Sequence, residues 1–516
     1  MLKKTILLTA TCLLIAAACS PVGIKQHGLT VQTGVSAPIF PHYADTLVLP
    51  PNIAPLNFSI QADSFSNGPY LIRLYVQSPS GELLDSSKQE TKRFVHFGTT
   101  LWQNFLQQAA ACEGRLLIDL YAYRKDSLLQ YERKVWQVVS DSIDPYLTYR
   151  LSAHDENPCL PLQVYERSLS DFSKRLLMDN RFTDNNCMNC HTNSGNNAQK
   201  MLVHLRGAYA GTLLFDGNLS TKIAIPEGYP DLRLAYPSYS RDGRFIAFAS
   251  TRIHVFPYAN QYRTQDLIVD TLGKILLYDV AENRLFSCPE LMDNRYEYTF
   301  PAWSPDGSKL YFCRTEKTNR LEDFLYSLFS IGFNPDKGTF GNVKAVCDLR
   351  EQGFNQSFSM PQPSPDGRYI LVSTLLLGSF PSQNQGDLYL IDLWRGNSRP
   401  AYELNSPDGE KYHSWSSNGR WVVFGSKRIN GATSQIYISY FDRRGHFSTP
   451  FVLPQEETNF YLKNTRSFLF PTLSRNMAGF DLATWEAAVK QPAIAPDMRY
   501  FDKYYRPGAI SPESGH

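Results

Sequence analysis

One short pattern returns along the second half of the chain and constrains its fold more than any other feature. The first copy is Tyr236-Pro237-Ser238-Tyr239-Ser240-Arg241-Asp242-Gly243, followed by the strand-like Arg244-Phe245-Ile246-Ala247-Phe248. The second is Phe300-Pro301-Ala302-Trp303-Ser304-Pro305-Asp306-Gly307, the third Met360-Pro361-Gln362-Pro363-Ser364-Pro365-Asp366-Gly367, and the fourth Tyr412-His413-Ser414-Trp415-Ser416-Ser417-Asn418-Gly419. A worn fifth copy is Phe470-Pro471-Thr472-Leu473-Ser474-Arg475-Asn476. In each full copy an apolar segment enters a tight turn, glycine supplies the positive φ, and an alternating strand leaves it. A hairpin recurring at intervals of 64, 60 and 52 residues (Gly243, Gly307, Gly367, Gly419) has the period of a propeller blade with inserted loops. The insertions are expected at 253–269 and 375–386. The pattern predicts a β-propeller of about six blades over 207–500, with Leu213-Leu214-Phe215 completing a sheet with the last strands to close the ring.

The rest of the chain reads as mainly β as well. Aromatics make up 13%, with 30 Tyr and 31 Phe beside 32 Pro and 31 Gly, a mixture that favours strands and turns. An aromatic content this high excludes intrinsic disorder, and a net charge of +2 over 516 residues argues against nucleic acid as a partner. Strand-like runs at 70–76, 116–123 and 131–139 suggest an immunoglobulin-like β-sandwich over 19–140, with a short helix near 100–111. From 141 to 206 the character changes to a short linker, helical over 169–178. Residues 501–516 read as a flexible tail.

At the N-terminus, Lys3 and Lys4 precede an apolar stretch that ends Ala16-Ala17-Ala18-Cys19. Residues 1–18 read as a lipoprotein signal, with Cys19 lipidated and anchoring the protein to the membrane; the bland alternative is a plain secretory signal. Of nine cysteines, Cys187 and Cys190 with His191 form Cys187-Met188-Asn189-Cys190-His191, the attachment signature of one c-type haem. Two thiols spaced this way reach two vinyl groups on one porphyrin edge, and the adjacent imidazole meets the iron. Met201 and His204 are equal candidates for the sixth ligand, with Met178 farther upstream. A dithiol redox pair and a zinc site are the competing readings of the motif. Cys112 and Cys159 are candidates to bridge the N-terminal domain to the linker, and Cys313 is expected as a buried thiol. No catalytic constellation is visible, so an enzyme is the weakest reading. His413 is expected to be packed rather than catalytic.

The repeats resemble the TolB-type propeller repeat, a relative of the WD repeat, and the match is best over Pro301 to Phe312. From Cys19 to at least Phe424 the chain resembles a family of Bacteroidetes lipoproteins that join a lipobox, an N-terminal β domain, one CxxCH and a TolB-like propeller. The residues that carry this are 51–58, 143–151, 187–191 and 204–207. The resemblance implies location and architecture, and haem only through the motif. The sequence thus points to a periplasmic protein anchored to the outer membrane, with one haem for electron transfer or redox sensing and a propeller that docks a protein partner. The alternative is a scaffold that binds a partner protein or a cell-envelope glycan, in which CxxCH is only structural.

Overall fold

The structure is a computed structural model that describes residues 30–33, 36–61, 69–123, 127–153, 161–224, 229, 232, 234–259, 264–379 and 386–502, with residues 30–33, 127, 153, 190, 255–259, 264–268 and 502 described by their backbone alone. Six four-stranded antiparallel sheets are arranged as the blades of a propeller. Each of blades 2 to 6 is a simple meander. Their innermost strands are Met188–Ser194, Leu234–Tyr239, Tyr296–Trp303, Ser357–Pro363 and Glu410–Trp415. Blade 1 is composite. Its inner strand, Arg466–Ser474, comes from the C-terminal end and pairs antiparallel with Tyr146–Ala153, which leads outward to Leu162–Ser168 and Lys174–Asp179. This pairing closes the ring and leaves no open edge between the first and last blades.

The blade number agrees with the sequence reading, but its boundaries do not. The propeller begins at Tyr146, not near 207. The expected linker over 141–206 supplies three strands of blade 1 and the first two of blade 2. The expected helix over 169–178 is a turn followed by the strand Lys174–Asp179. A short run with apolar residues at 169, 172, 176, 177 and 178 does not discriminate the two periods, and tertiary pairing decided it. Leu213, Leu214 and Phe215 lie within blade 2, on a strand paired with Asn197–Leu205 and Leu219–Ile223, so they take no part in closure. The insertion expected at 253–269 is regular: strands Phe245–Ala259 and Thr264–Asp279 run on beyond the blade as one long hairpin. Residues 380–385 of the second insertion and 503–516 of the tail lie outside the described residues.

The repeat residues have separate tasks. In four turns the serine Oγ accepts from the backbone N–H five residues on and donates to the Asp or Asn two residues on, as Ser240 does with Phe245 and Asp242. The turn glycines have φ between 67° and 76°. Every inner strand also breaks register at the same level, through a two-residue bulge. The first bulge residue in five blades, Phe470, Tyr236, Phe300, Met360 and Tyr412, has a φ of 46° to 54°. The second is proline in four of them. Proline lacks an N–H and is tolerated on an edge strand at a bulge, which is where the channel wall places it.

The N-terminal domain packs a seven-stranded sheet against a three-stranded one. Helix α1 (Thr99–Ala111) lies against the same face, burying Trp102, Phe105, Leu106 and Ala109 beside Leu74, Ile118 and Trp136. The helix sits where the sequence placed it. This core is continuous with that of blade 6, including Trp421, Phe424 and Ile436. Polar anchors fix the junction. Trp421 Nε1 donates to Asp141 O at 2.8 Å and Tyr440 OH to Asp141 Oδ2 at 2.7 Å. Ser417 donates from its N–H and Oγ to the Asp144 carboxylate, which burial nevertheless pushes above the ordinary aspartate range.

Candidate functional site

The inner strands surround an axial channel that opens at the end carrying the Ser-Asp-Gly turns. It holds a cavity of about 230 Å³ to which all six blades contribute. Aligning the six bulges shows how the blades differ. The second bulge position is Pro471, His191, Pro237, Pro301, Pro361 and His413 from blade 1 to blade 6. Two residues farther along, the same strands present Leu473, Asn193, Tyr239, Trp303, Pro363 and Trp415. Blade 2 is therefore a sixth copy of the repeat, Cys190-His191-Thr192-Asn193-Ser194, hidden inside the CxxCH motif. It is polar at two positions where the other blades are mostly apolar.

The consequence is visible in the hydrogen bonds. In blades 4 and 6 the indole at the Asn193 position reaches the preceding or neighbouring wall: Trp303 Nε1 donates to Ser238 O at 3.1 Å, and Trp415 Nε1 to Gln362 O at 3.0 Å. Asn193 is too short for that contact. It is 8% exposed, and both its Nδ2 and Oδ1 are buried without a partner. His191, 6% exposed, likewise has an unpartnered Nε2, and its ring stands edge-on to Phe470 at 6.5 Å. Burial, with help from the Arg150 charge, lowers the His191 pKa to about 3, so the imidazole is neutral at ordinary pH. Arg150 itself lies over the Phe470 ring at 4.8 Å and donates to Asn189 Oδ1. Asn189 in turn donates to Cys187 Sγ at 2.8 Å.

His413, whose Nδ1 is also buried without a partner, differs from His191 at the other ring nitrogen. Its Nε2 meets Leu371 O at 2.8 Å, tying blade 6 to blade 5. Burial lowers its pKa to about 4 despite the two backbone carbonyls that favour its charged form. It is a packed residue, as its place in the repeat implied. Aromatic pairs complete the walls. Tyr236 stacks on Phe300 at 4.0 Å, Tyr412 lies on Phe470 at 4.2 Å, and Tyr236 OH donates to the buried Asp270 carboxylate at 3.3 Å.

The residues expected to hold haem lie on two paired strands of blade 2, with the Cys190 side chain outside what the structure describes. Cys187 to His191 lie at the start of, and along, an inner strand hydrogen-bonded to Asn197–Leu205, with Asn189 opposite His204. Met201 and His204 are on that neighbouring strand. Paired strands lie about 4.8 Å apart, and a porphyrin cannot stand between axial ligands drawn from two of them. Met201 is packed with Val203, Leu205, Leu213 and Phe215 toward blade 1. His204 projects from the opposite face, with Nδ1 3.0 Å from Thr212 Oγ1. Met178 is buried in the same cluster as Met201. The cavity is smaller than the roughly 300–1,000 Å³ of ordinary ligand pockets, and a tetrapyrrole exceeds it. Among the described residues no group of three or more His, Cys, Asp or Glu is placed to hold a metal ion. Cys19 and Cys159 lie outside the described residues. Cys112 is unbridged, and Cys313 is fully buried with a thiol pKa raised by that burial.

Asn193 and Arg150 were missed in the sequence. The signal that finds Asn193 is Ser194, which stands where Ser240, Ser304, Ser364 and Ser416 stand in the other copies.

No family model matches the chain, and no curated protein does. Solved structures do. A luciferin-regenerating enzyme is 11% identical, with 65% of this chain and 95% of that one covered and a TM-score of 0.31. The GH74 enzyme of Niastella koreensis is 11% identical, with 63% and 54% covered and a TM-score of 0.33. The Dos1 propeller is 13% identical, with 43% and 63% covered and a TM-score of 0.26. The chain spans about half the length of the GH74 enzyme and under two thirds of the Dos1 propeller.

Proposed function

We propose that this is a non-catalytic binding protein whose β-propeller takes a ligand into the turn-side end of its axial channel. The N-terminal sandwich holds the propeller away from a lipid anchor at Cys19, on the periplasmic face of the outer membrane. One observation carries the binding reading: Asn193 and His191 leave three polar atoms buried and unpartnered on the channel wall. Each such atom costs about 1–3 kcal/mol in a folded protein, and hydrogen bonds from a ligand in the channel would offset that cost; His413 of blade 6 adds one more, its Nδ1. This reading carries no electron-transfer role: the two expected sixth ligands, Met201 and His204, sit on the strand paired with the CxxCH strand.

The binding reading is tested without knowing the ligand. Replacing Asn193 with Leu removes two orphaned atoms and fills the indole position of the repeat with an apolar side chain. The variant is expected to be as stable as wild type or more stable by about 1 kcal/mol, as measured by urea unfolding. A loss of about 2 kcal/mol or more would make Asn193 a structural residue and remove the main support. A second measurement addresses Cys19 and the haem motif together. Protein produced with a functional haem-attachment system is expected to have the mass of a chain cleaved before Cys19 and acylated there, with no Soret absorbance. A covalent haem would overturn the non-haem reading, and an unacylated chain would remove the anchor.

A further inference from the structure

The lining of the cavity says more about what enters it. The described residues around it carry no carboxylate and no lysine; Arg241, at the mouth and 3.5 Å from Pro365 O, is the one charged side chain. His191 and His413 are held neutral by burial. A cation meets no counter-charge here, and an anion meets one exposed guanidinium and nothing deeper. A purely apolar ligand would strand the Asn193 amide and His191 Nε2, at the penalty that already burdens the empty site. Tyr236 is stacked on Phe300 and Tyr412 lies tilted on Phe470, while the Trp303 and Trp415 indoles are tied to the preceding blades, so these rings leave no parallel slot between them for a flat base. What remains is an uncharged molecule with apolar faces and a rim of hydroxyl groups, small enough for a cavity of about 230 Å³.

We propose that the channel binds a single neutral pyranose ring. This rests on the binding reading above and names its ligand class. The aromatic and proline walls (Pro237, Pro301, Pro361, Pro471) meet the C–H faces of the sugar. The Asn193 amide offers two donors and one acceptor to adjacent hydroxyls, and His191 Nε2 gives one more polar contact. Ser238, Gln362 and Thr472 stand among the lining residues. The same ring chemistry comes from a free monosaccharide or from the end of a glycan.

The test uses the mature full-length protein and five probes: glucose, galactose, mannose, N-acetylglucosamine and N-acetylgalactosamine, each also as its methyl glycoside. Glucuronate serves as the charged control. Calorimetry and saturation-transfer NMR are expected to find at least one neutral probe with a Kd of about 1 mM or tighter. Asn193→Leu is expected to weaken it at least tenfold. Retained binding of the methyl glycoside identifies a glycan end; binding of the free sugar alone identifies a monosaccharide. Failure of all ten neutral probes at about 10 mM, equal binding of glucuronate, or unchanged binding by the variant overturns the sugar assignment. If the variant is at the same time as stable as wild type, the channel remains a binding site for another class; if it is strongly destabilised, both readings fall.

Discussion

Acidified from neutral pH toward pH 4, the protein will lose stability at about 2.7 kcal/mol per pH unit once both buried histidines are in play, about 1.4 kcal/mol for each. The cause is the location of His191 and His413 on the channel wall. Both have pKa values lowered by burial, to about 3 and about 4, from an ordinary 6.5. An unfolded chain takes up a proton on each histidine as pH falls through 6.5, and the folded chain does not. Their contribution to stability is therefore complete above 6.5. It is lost progressively below that value until the folded-state pKa is reached. The buried carboxylates Asp144, Asp270 and Glu297, whose pKa values burial raises, act in the opposite sense and soften the slope at its acid end. Urea midpoints at about pH 7, 6, 5 and 4.5 measure the slope. His191→Gln with His413→Gln should flatten it; an equally steep double variant would place the acid sensitivity elsewhere.

How much of this was legible in the sequence depends on which signal carried it. The Ser-x-Asp-Gly turns were readable because a hydrogen-bonded serine, an aspartate and a positive-φ glycine are local requirements that recur wherever the hairpin does. Blade 1 was not readable in that way. Its inner strand and the three strands outside it are separated by most of the propeller, and only the pairing of 146–153 with 466–474 makes them one sheet. The worn copy at Phe470 was visible, yet nothing local assigns it to the first blade. Blade 2 was hidden for a different reason. Cys187, Cys190 and His191 match a signature whose chemistry is usually stronger evidence than a degenerate repeat. Once Ser194 is aligned with Ser240, the same residues become a bulge with His191 in the proline position. Met201 and His204 were close in sequence to the motif, but strand alternation sends them to opposite faces of one blade.

The second large effect concerns where the propeller begins. A fragment of residues 207–516, the propeller as the repeats alone delimit it, is expected to show no cooperative unfolding transition. It keeps blades 3 to 6 but lacks two strands of blade 2 and three of blade 1. The strand Arg466–Ser474 loses its hydrogen-bonding partner, exposing Phe468, Leu469 and Leu473, all buried in the whole chain. Phe215 loses the strand that carries Met201. Trp485 and Val489 of α2 (Leu482–Lys490) lose Leu177 and Met178, and Trp485 Nε1 loses its acceptor, Asp179 O at 3.1 Å. Six large side chains at about 1.5–3 kcal/mol each exceed or match the 5–15 kcal/mol that holds a typical domain together. Circular dichroism during heating would register the loss as a broad, non-cooperative change. Adding a separately produced fragment of residues 36–206 should restore a cooperative transition, because it returns the missing strands of both blades. A 207–516 fragment that melts as sharply as the full chain, and at the same temperature, would show that the ring closes without residues 146–153.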